Sequence, residues 1–147
     1  MSDTAVPPGF QPHTRRSPFT DPWQPLYVRV DGHDVALGTV LCEAHCNSRG
    51  LVHGGFIGAL ADNAMGLSVA EAIRADGQSA TGLVTTNLSV DYSGQASVGD
   101  WLQTRSEVVQ LGGTLAFARA VLVSGDRTVA QAHATFRVMR PKADKSP

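Results

Sequence analysis

Hydrophobic positions along the chain follow two patterns, and the first of them predicts one long helix. Residues 53–75 are rich in Ala and Leu, and Gly77, a residue type that commonly ends helices, follows them. Asp62 carries the only charge between Phe56 and Ala70. Because a helix that is apolar nearly all round is usually buried, we expect this segment to be the core helix.

The second pattern predicts strands. Residues 81–92 alternate, with one face expected to carry Val84, Thr86, Leu88, Val90 and Tyr92 and the other Thr85, Asn87, Ser89 and Asp91. The remaining predicted strands are residues 25–31, 34–42, 100–110, 114–124 and 127–139. Small alanine faces in the last two strands would let a helix approach closely. The sequence therefore predicts an α+β domain in which one long central helix is wrapped by a five- to six-stranded antiparallel sheet.

Proline content divides the chain into three parts. Six of the 8 prolines lie at or before position 25. Proline has no backbone N–H and favours extended neighbours, so residues 1–22 are expected to form a flexible N-terminal arm. Residues 23–140 are expected to form a single domain, which suits a chain of 147 residues, and residues 141–147 a solvated tail.

Charge and cysteine content exclude several classes of protein. A net charge of −1 offers no basic surface for nucleic acid, and the N-terminus has no apolar run of a signal peptide. The helical segment is short of the roughly 20 apolar residues of a membrane span. Two cysteines, Cys42 and Cys46, are too few and too close together for a disulfide scaffold. Together with His45 and His53 they also lack the paired spacing that zinc ligands usually have. We expect a cytoplasmic protein with reduced thiols, no metal, and neither nucleic acid nor membrane as partner.

Candidate chemistry is concentrated near the start of the predicted helix. Gly54-Gly55 exposes backbone N–H groups at the positive end of the helix dipole, where an anion or a developing oxyanion binds well. Asp62 follows about two turns later, in surroundings expected to desolvate it, and a carboxylate there needs partners. Thr85, on a neighbouring strand, is a candidate to share a water with Asp62.

Each of these residues also has a structural interpretation. A Gly-Gly pair such as Gly54-Gly55 is common in turns and tight packing, and Asp62 is equally compatible with a buried, hydrogen-bonded helix residue. An isolated histidine such as His53 is more often a helix cap than a functional group. Asn47 is a common loop residue.

The pattern Asn47-x-x-Gly50-x-x-His53-Gly54-Gly55, followed by Ala61-Asp62-Asn63, resembles the hotdog-fold thioesterases of the phenylacetate-pathway (PaaI-like) type. Weaker matches to the strand pattern of that family are Val90-Asp91-Tyr92, Val98-Gly99-Asp100 and Gly113-Thr114-Leu115-Ala116-Phe117. The resemblance covers roughly residues 35–138, and the proline-rich arm has no counterpart in it.

This resemblance implies hydrolysis of acyl-CoA thioesters by a homodimer, often paired into a homotetramer, with active sites at the dimer interface. Asn47 and the Gly54 N–H would polarise the thioester carbonyl, and Asp62 of the facing subunit would be the general base or the nucleophile. Thr85 would help to hold water, and His53 would orient the loop or the substrate. The implied substrate-binding residues are Gly55, Gly113 and Thr114. CoA is part of the substrate, so no bound cofactor or metal is implied.

Thioester hydrolysis is consistent with the residues named above, and alternative functions stay open. A thiolate is a good leaving group, so carbonyl polarisation and a positioned water or carboxylate suffice. The chain has no G-x-S-x-G motif for a serine triad. The alternatives are a non-catalytic acyl-CoA-binding hotdog module (a sensor or carrier) and a hotdog hydratase, whose histidine signatures are absent. Three strand arginines are expected on a solvated face rather than on CoA phosphates: Arg105, Arg119 and Arg137.

Overall fold

The computed structural model describes residues 4–142, in which one helix packs against a single antiparallel sheet. The helix, α1, spans Gly54–Ala75. The strands are β1 (Gln11–Pro12), β2 (Tyr27–Asp31), β3 (Asp34–Val40), β4 (Gly82–Tyr92), β5 (Trp101–Leu111), β6 (Leu115–Ser124) and β7 (Arg127–Met139). Their order in the sheet is β1-β2-β3-β5-β6-β7-β4, so β4 forms one edge. This arrangement confirms the predicted hotdog architecture, with seven strands instead of five or six.

The hydrophobic core lies between α1 and the inner face of the sheet. Six alanines of β6 and β7 are buried there, as their spacing predicts: Ala116, Ala118, Ala120, Ala130, Ala132 and Ala134. Close approach is visible where Gly66 faces Phe136, because a Cβ at Gly66 would lie 3.5 Å from the ring. By length and composition alone α1 is apolar enough to cross a membrane, and in this structure most of it is buried in the core.

One face of α1 is less buried than the sequence predicts. Asp62, Asn63, Gly66, Leu67 and Ala70 are only half-buried, whereas the side of the helix that faces the sheet is inaccessible. The expectation that the whole helix is buried is therefore wrong for this stripe. Its residues recur every three or four positions, so they line one side of the helix and leave small and apolar groups partly open to solvent.

A β-bulge in β4 changes the predicted faces of that strand. Thr85 pairs with Phe136 and Asn87 with Thr135, so Thr86 is an extra residue without a partner in the register. Because a one-residue shift inverts the alternation, Thr85 lies on the same inner face as Leu88, Val90 and Tyr92. Val84 instead lies on the outer face. The prediction of one strict alternation over 81–92 is wrong for this reason.

The described part of the N-terminal arm lies against the sheet. Gln11 and Pro12 form β1, which pairs with β2 and is the seventh strand. Phe10 is buried in an edge-to-face contact with Trp101 at 5.1 Å between ring centroids. Over residues 4–22 the arm thus contacts the domain, and its flexibility stays a prediction. Proline removes only its own N–H, and its neighbours still pair and pack. Of the predicted tail, only Pro141 and Lys142 fall within the described residues.

Candidate active site

Asp62 and Thr85 form the central polar pair of the candidate site. The Thr85 hydroxyl donates to Asp62 Oδ1 at 2.8 Å, across the interface between α1 and β4. Both residues line a cavity of about 650 Å³ bounded by α1, the segment after it and the N-terminal arm. Asp62 is half-buried, so the expected desolvation is incomplete within one chain. Its carboxylate is therefore held on one oxygen and is accessible from the cavity.

His53 caps the start of α1, as the structural interpretation predicts. Its Nδ1 accepts the Gly55 N–H at 2.9 Å, which leaves the proton of the neutral ring on Nε2. Gly55 therefore has its N–H occupied and is not a free donor for a ligand. By contrast, the Gly54 N–H has no acceptor among residues 4–142. Of the two glycines, Gly54 presents the backbone donor at the positive end of the helix.

Tyr92 fixes the helix start to the end of β4, a contact that no sequence pattern predicts. Its hydroxyl donates to the Gly54 carbonyl at 2.8 Å. A Cβ at Gly54 would lie 3.2 Å from the tyrosine ring, so a side chain there would require the ring to move by a few tenths of an ångström. The only available signal was a tyrosine at the end of a predicted strand, which is too common to single out.

Asn47 shapes the loop that precedes the helix. Its Oδ1 accepts the N–H groups of Arg49 at 2.9 Å and Leu51 at 3.3 Å, which confirms the loop interpretation. The turn closes at Gly50, whose φ of 72° favours glycine. Within the described residues 4–142 only the carbonyl oxygen of the side chain is used, so neither proton of the Nδ2 amide has an acceptor there. Asn47 lines a separate recess of about 510 Å³.

One chain does not bring all the predicted site residues together. Gly54 and Asp62 are eight positions apart on α1, which corresponds to about 12 Å along its axis. Asn47 and Asp62 line different cavities. Gly113 and Thr114 lie in the β5–β6 hairpin, where their carbonyls accept from Arg140 and Val138, and they line neither cavity. Within a single chain, the donors near the helix start and the Asp62 carboxylate do not converge.

The histidine and cysteines before the helix have structural partners. His45 is buried, and its Nδ1 accepts the Cys42 N–H at 3.0 Å while its Nε2 donates to the Trp23 carbonyl at 2.9 Å. Burial lowers the pKa of His45, against a smaller opposing effect of the Trp23 contact. Burial and the nearby Cys42 raise the pKa of the Cys46 thiol. Both thiols are free, and residues 4–142 contain no cluster of three metal-ligating side chains.

The strand arginines lie away from the candidate site. Arg105, Arg119 and Arg137 are exposed on the sheet face opposite α1, and Arg119 forms an ion pair with Glu107. The solvated-face interpretation is confirmed for all three. Three arginines line the Asp62 cavity: Arg15 and Arg16 of the arm, which no sequence motif singled out, and Arg74 of α1, which forms an ion pair with Glu71 at 2.7 Å.

Sequence comparison assigns the chain to a family. The model of the thioesterase superfamily matches residues 49–131, which include α1 and strands β4 to β6. The chain belongs to the thioesterase superfamily. This thioesterase is also 40% identical over 134 residues to a Pseudomonas aeruginosa protein, "Putative esterase PA0474", covering 90% of this chain and 97% of that protein.

Solved structures share the fold of this thioesterase. Zebrafish thioesterase superfamily member 2 superposes with a TM-score of 0.74 at 25% identity, over 83% of this chain and 88% of that one. A point variant of the phenylacetic acid degradation protein PaaI from Thermus thermophilus has a TM-score of 0.71 at 25% identity, over 85% and 100% of the two chains. A Streptococcus pneumoniae thioesterase solved with coenzyme A has a TM-score of 0.69 at 24% identity, over 81% and 94%.

Proposed function

We propose that this thioesterase hydrolyses acyl-CoA thioesters to the free acid and CoA. The observation that carries the proposal is the Asp62–Thr85 pair, a carboxylate held by one hydroxyl at 2.8 Å and open to a cavity of about 650 Å³. The coenzyme A bound to the structurally similar Streptococcus pneumoniae thioesterase supports CoA as the thiol part of the substrate.

Asp62 supplies the attacking group in this proposal. Thr85 donates to Oδ1 and fixes the carboxylate, which leaves Oδ2 to take a proton from water or to attack the carbonyl carbon itself. In the first route the water oxygen bonds to the carbonyl carbon, the C–S bond breaks, and the proton on Asp62 passes to the CoA thiolate. In the second route Oδ2 bonds to the carbonyl carbon and the C–S bond breaks, which gives an anhydride and the CoA thiolate. Water then cleaves the anhydride to the free acid and the Asp62 carboxylate, and the proton released passes to the thiolate. Both routes yield one acid and one thiol, and neither needs a resident metal or cofactor.

Gly54 and Asn47 stabilise the developing oxyanion. The Gly54 N–H and the Asn47 Nδ2 amide are two donors near the helix start that have no acceptor within residues 4–142. Donors fixed in advance by a helix cap and a tight turn need no reorganisation when charge develops on the carbonyl oxygen. His53 positions this end of the helix through its bond to Gly55.

A second copy of the chain completes the site in this proposal. Strand β4 is an edge of the sheet with no neighbour on one side within the described residues. If two β4 strands pair antiparallel, the Tyr92 end of one lies beside the Gly82 end of the other. Tyr92 contacts Gly54 and Thr85 contacts Asp62, so this pairing brings Gly54 of one copy towards Asp62 of the other.

Higher assembly and location follow as further parts of the proposal. Leu115 and Phe117 are exposed large apolar residues on the outer face of the sheet, where two dimers can meet to form a tetramer. We propose a cytoplasmic enzyme that acts on soluble acyl-CoA.

The test is release of free thiol from a panel of aryl and aliphatic acyl-CoAs. We expect Asp62→Asn to reduce kcat by about 100-fold or more, because the amide neither takes up the proton nor attacks. Asp76→Asn is the matched control, since Asp76 is an exposed residue just after α1. Equal thiol release by wild type and Asp62→Asn would contradict the assigned role. Tight acyl-CoA binding without turnover across the panel would favour a non-catalytic sensor or carrier.

A further inference from the structure

Arg15 and Arg16 lie in the part of the arm that lines the Asp62 cavity, and two anchors hold this part of the arm. On one side the His13 N–H donates to the Leu26 carbonyl at 2.8 Å. On the other side, Ser17 and the buried Thr20 form a turn, with hydroxyl oxygens 2.9 Å apart. Since both arginines lie between these anchors, their backbone is fixed next to the cavity without the help of a ligand.

The part of the cavity wall that the arm forms carries mainly cationic side chains. Arg15 has no acidic partner within 4.0 Å among residues 4–142, and Arg16 approaches only the exposed Asp21 at 3.8 Å. The charge of Arg15 adds to burial in lowering the pKa of His13. Asp62 is the only acidic residue among the described residues that line the cavity. The arm therefore presents two largely uncompensated guanidinium groups to the cavity that Asp62 also lines.

Apolar side chains line another part of the cavity, opposite in character to the arginines of the arm. Leu67, Ile73, Leu83 and Phe136 supply apolar surface from α1 and the sheet. An uncharged ligand would gain contact from these residues and nothing specific from the arginines. A guanidinium group recognises carboxylate and phosphate oxygens through paired N–H donors.

We infer that Arg15 and Arg16 form an anion subsite that binds a negatively charged group of the thioester substrate. The inference rests on the proposed function in taking the substrate to be a thioester. Two parts of such a substrate carry the required charge, namely the phosphates of CoA and a carboxylate at the far end of the acyl group. The arm thereby selects anionic over neutral substrates, in addition to closing the cavity.

The experiment measures binding, so it does not depend on turnover. Three thioether ligands that cannot be hydrolysed are titrated calorimetrically: S-hexyl-CoA, S-(5-carboxypentyl)-CoA and S-hexyl-pantetheine. The affinity of each ligand is measured for wild type and for the double variant Arg15→Gln/Arg16→Gln. Arg105→Gln, on the outer face of the sheet, is the control. Thermal melting of each variant checks the fold.

We expect the double variant to bind one or both CoA ligands about tenfold more weakly than wild type does. Its affinity for S-hexyl-pantetheine should be unchanged. Weaker binding of S-hexyl-CoA identifies the phosphates as the bound anion. Weaker binding of S-(5-carboxypentyl)-CoA alone identifies the acyl carboxylate. The inference is overturned if the double variant binds both CoA ligands as tightly as wild type does, or if its affinity for S-hexyl-pantetheine falls equally. It is also overturned if wild type binds none of the ligands. Absence of thiol release with these binding differences intact would instead count against the proposed hydrolysis alone.

Discussion

Asp62 and Thr85 meet because β4 contains one extra residue. Without the bulge at Thr86, strict alternation counted back from Leu88 would put Thr85 on the outer face of the sheet, away from α1. The bulge lets Thr85 and Leu88 both face α1, so one strand supplies an apolar contact to the helix and a hydroxyl to its carboxylate. Bulges recur next to active sites for this reason, since they re-aim a side chain.

The Thr85 hydroxyl is expected to matter for rate more than for folding. Thr85→Val removes the donor to Asp62 and should lower kcat by about tenfold, because a loosely held carboxylate is less well oriented. Thr85→Ser keeps the hydroxyl and should retain most of the activity. Thr86→Val is the matched control, since the Thr86 hydroxyl donates to the Thr135 carbonyl instead. Thiol-release kinetics on the four proteins check this, and equal loss in both valine variants would contradict it.

His45 is expected to make stability depend on pH. Burial lowers its pKa below the usual value of 6.5, so the folded chain binds fewer protons there than the unfolded chain. The stabilisation is therefore complete above about pH 6.5 and is lost as pH falls through the lowered pKa. Urea unfolding of wild type and His45→Gln at pH 7.5 and 5.5 checks this.

The stability difference between wild type and His45→Gln should be larger at pH 7.5 than at pH 5.5. His133→Gln is the control, because His133 is exposed on β7 and no such change in the difference is expected. A difference that stays constant or grows at pH 5.5 would contradict the role of His45.

At the scale of elements, the N-terminal arm is the part that the sequence describes least well. Prolines correctly mark a segment without regular structure over most of its length. They do not reveal that Phe10 fits against Trp101 while the Arg29 guanidinium lies 4.8 Å from the centre of the Phe10 ring. Such a contact joins residues far apart in sequence, so periodicity carries no trace of it. Helix α1, whose signals are local, was predicted to within one residue at its start.

Anchoring of the arm by Phe10 leads to a prediction for proteolysis. Phe10→Ala should cost the arm about 2 kcal/mol of local stability, which makes trypsin cleavage after Arg15 or Arg16 roughly 30-fold faster. Phe117→Ala is the control, because Phe117 is partly exposed on β6 and contacts neither the arm nor Trp101. Cleavage rates measured by mass spectrometry check the prediction. Equal rates in wild type and Phe10→Ala would show that Phe10 does not hold the arm.

At the scale of the whole molecule, the position of β4 at the sheet edge is the feature on which the proposed dimer depends. Within one chain, Gly54 and Asp62 lie about 12 Å apart along α1, and Asn47 lies in the loop before the helix. Two copies paired through β4 would place Asn47 and Gly54 of each copy opposite Asp62 of the other. This geometry makes complementation between two inactive variants possible.

Mixing Asp62→Asn with Asn47→Asp subunits should restore activity. Asn47→Asp is chosen because it keeps the Oδ1 acceptor for Arg49 and Leu51, while it replaces the amide donors by a negatively charged oxygen that opposes an oxyanion. Random pairing makes half of the dimers mixed, each with one intact site, so about one quarter of wild-type activity is expected. Co-refolding followed by thiol-release assays measures it. No recovery above the separate variants would show that each site lies within one chain.

Local sequence patterns predict the class of fold, the extent of α1 and its cap, most strand limits, and the alanine faces of β6 and β7. These features depend on neighbours within a few residues, so composition and periodicity carry them. Only the tertiary structure decided that Thr85 faces Asp62, that Tyr92 meets Gly54, that Asp62 is half-buried, and that the arm lies on the sheet. Each of these depends on a one-residue register shift or on contacts between distant segments, which no local pattern records.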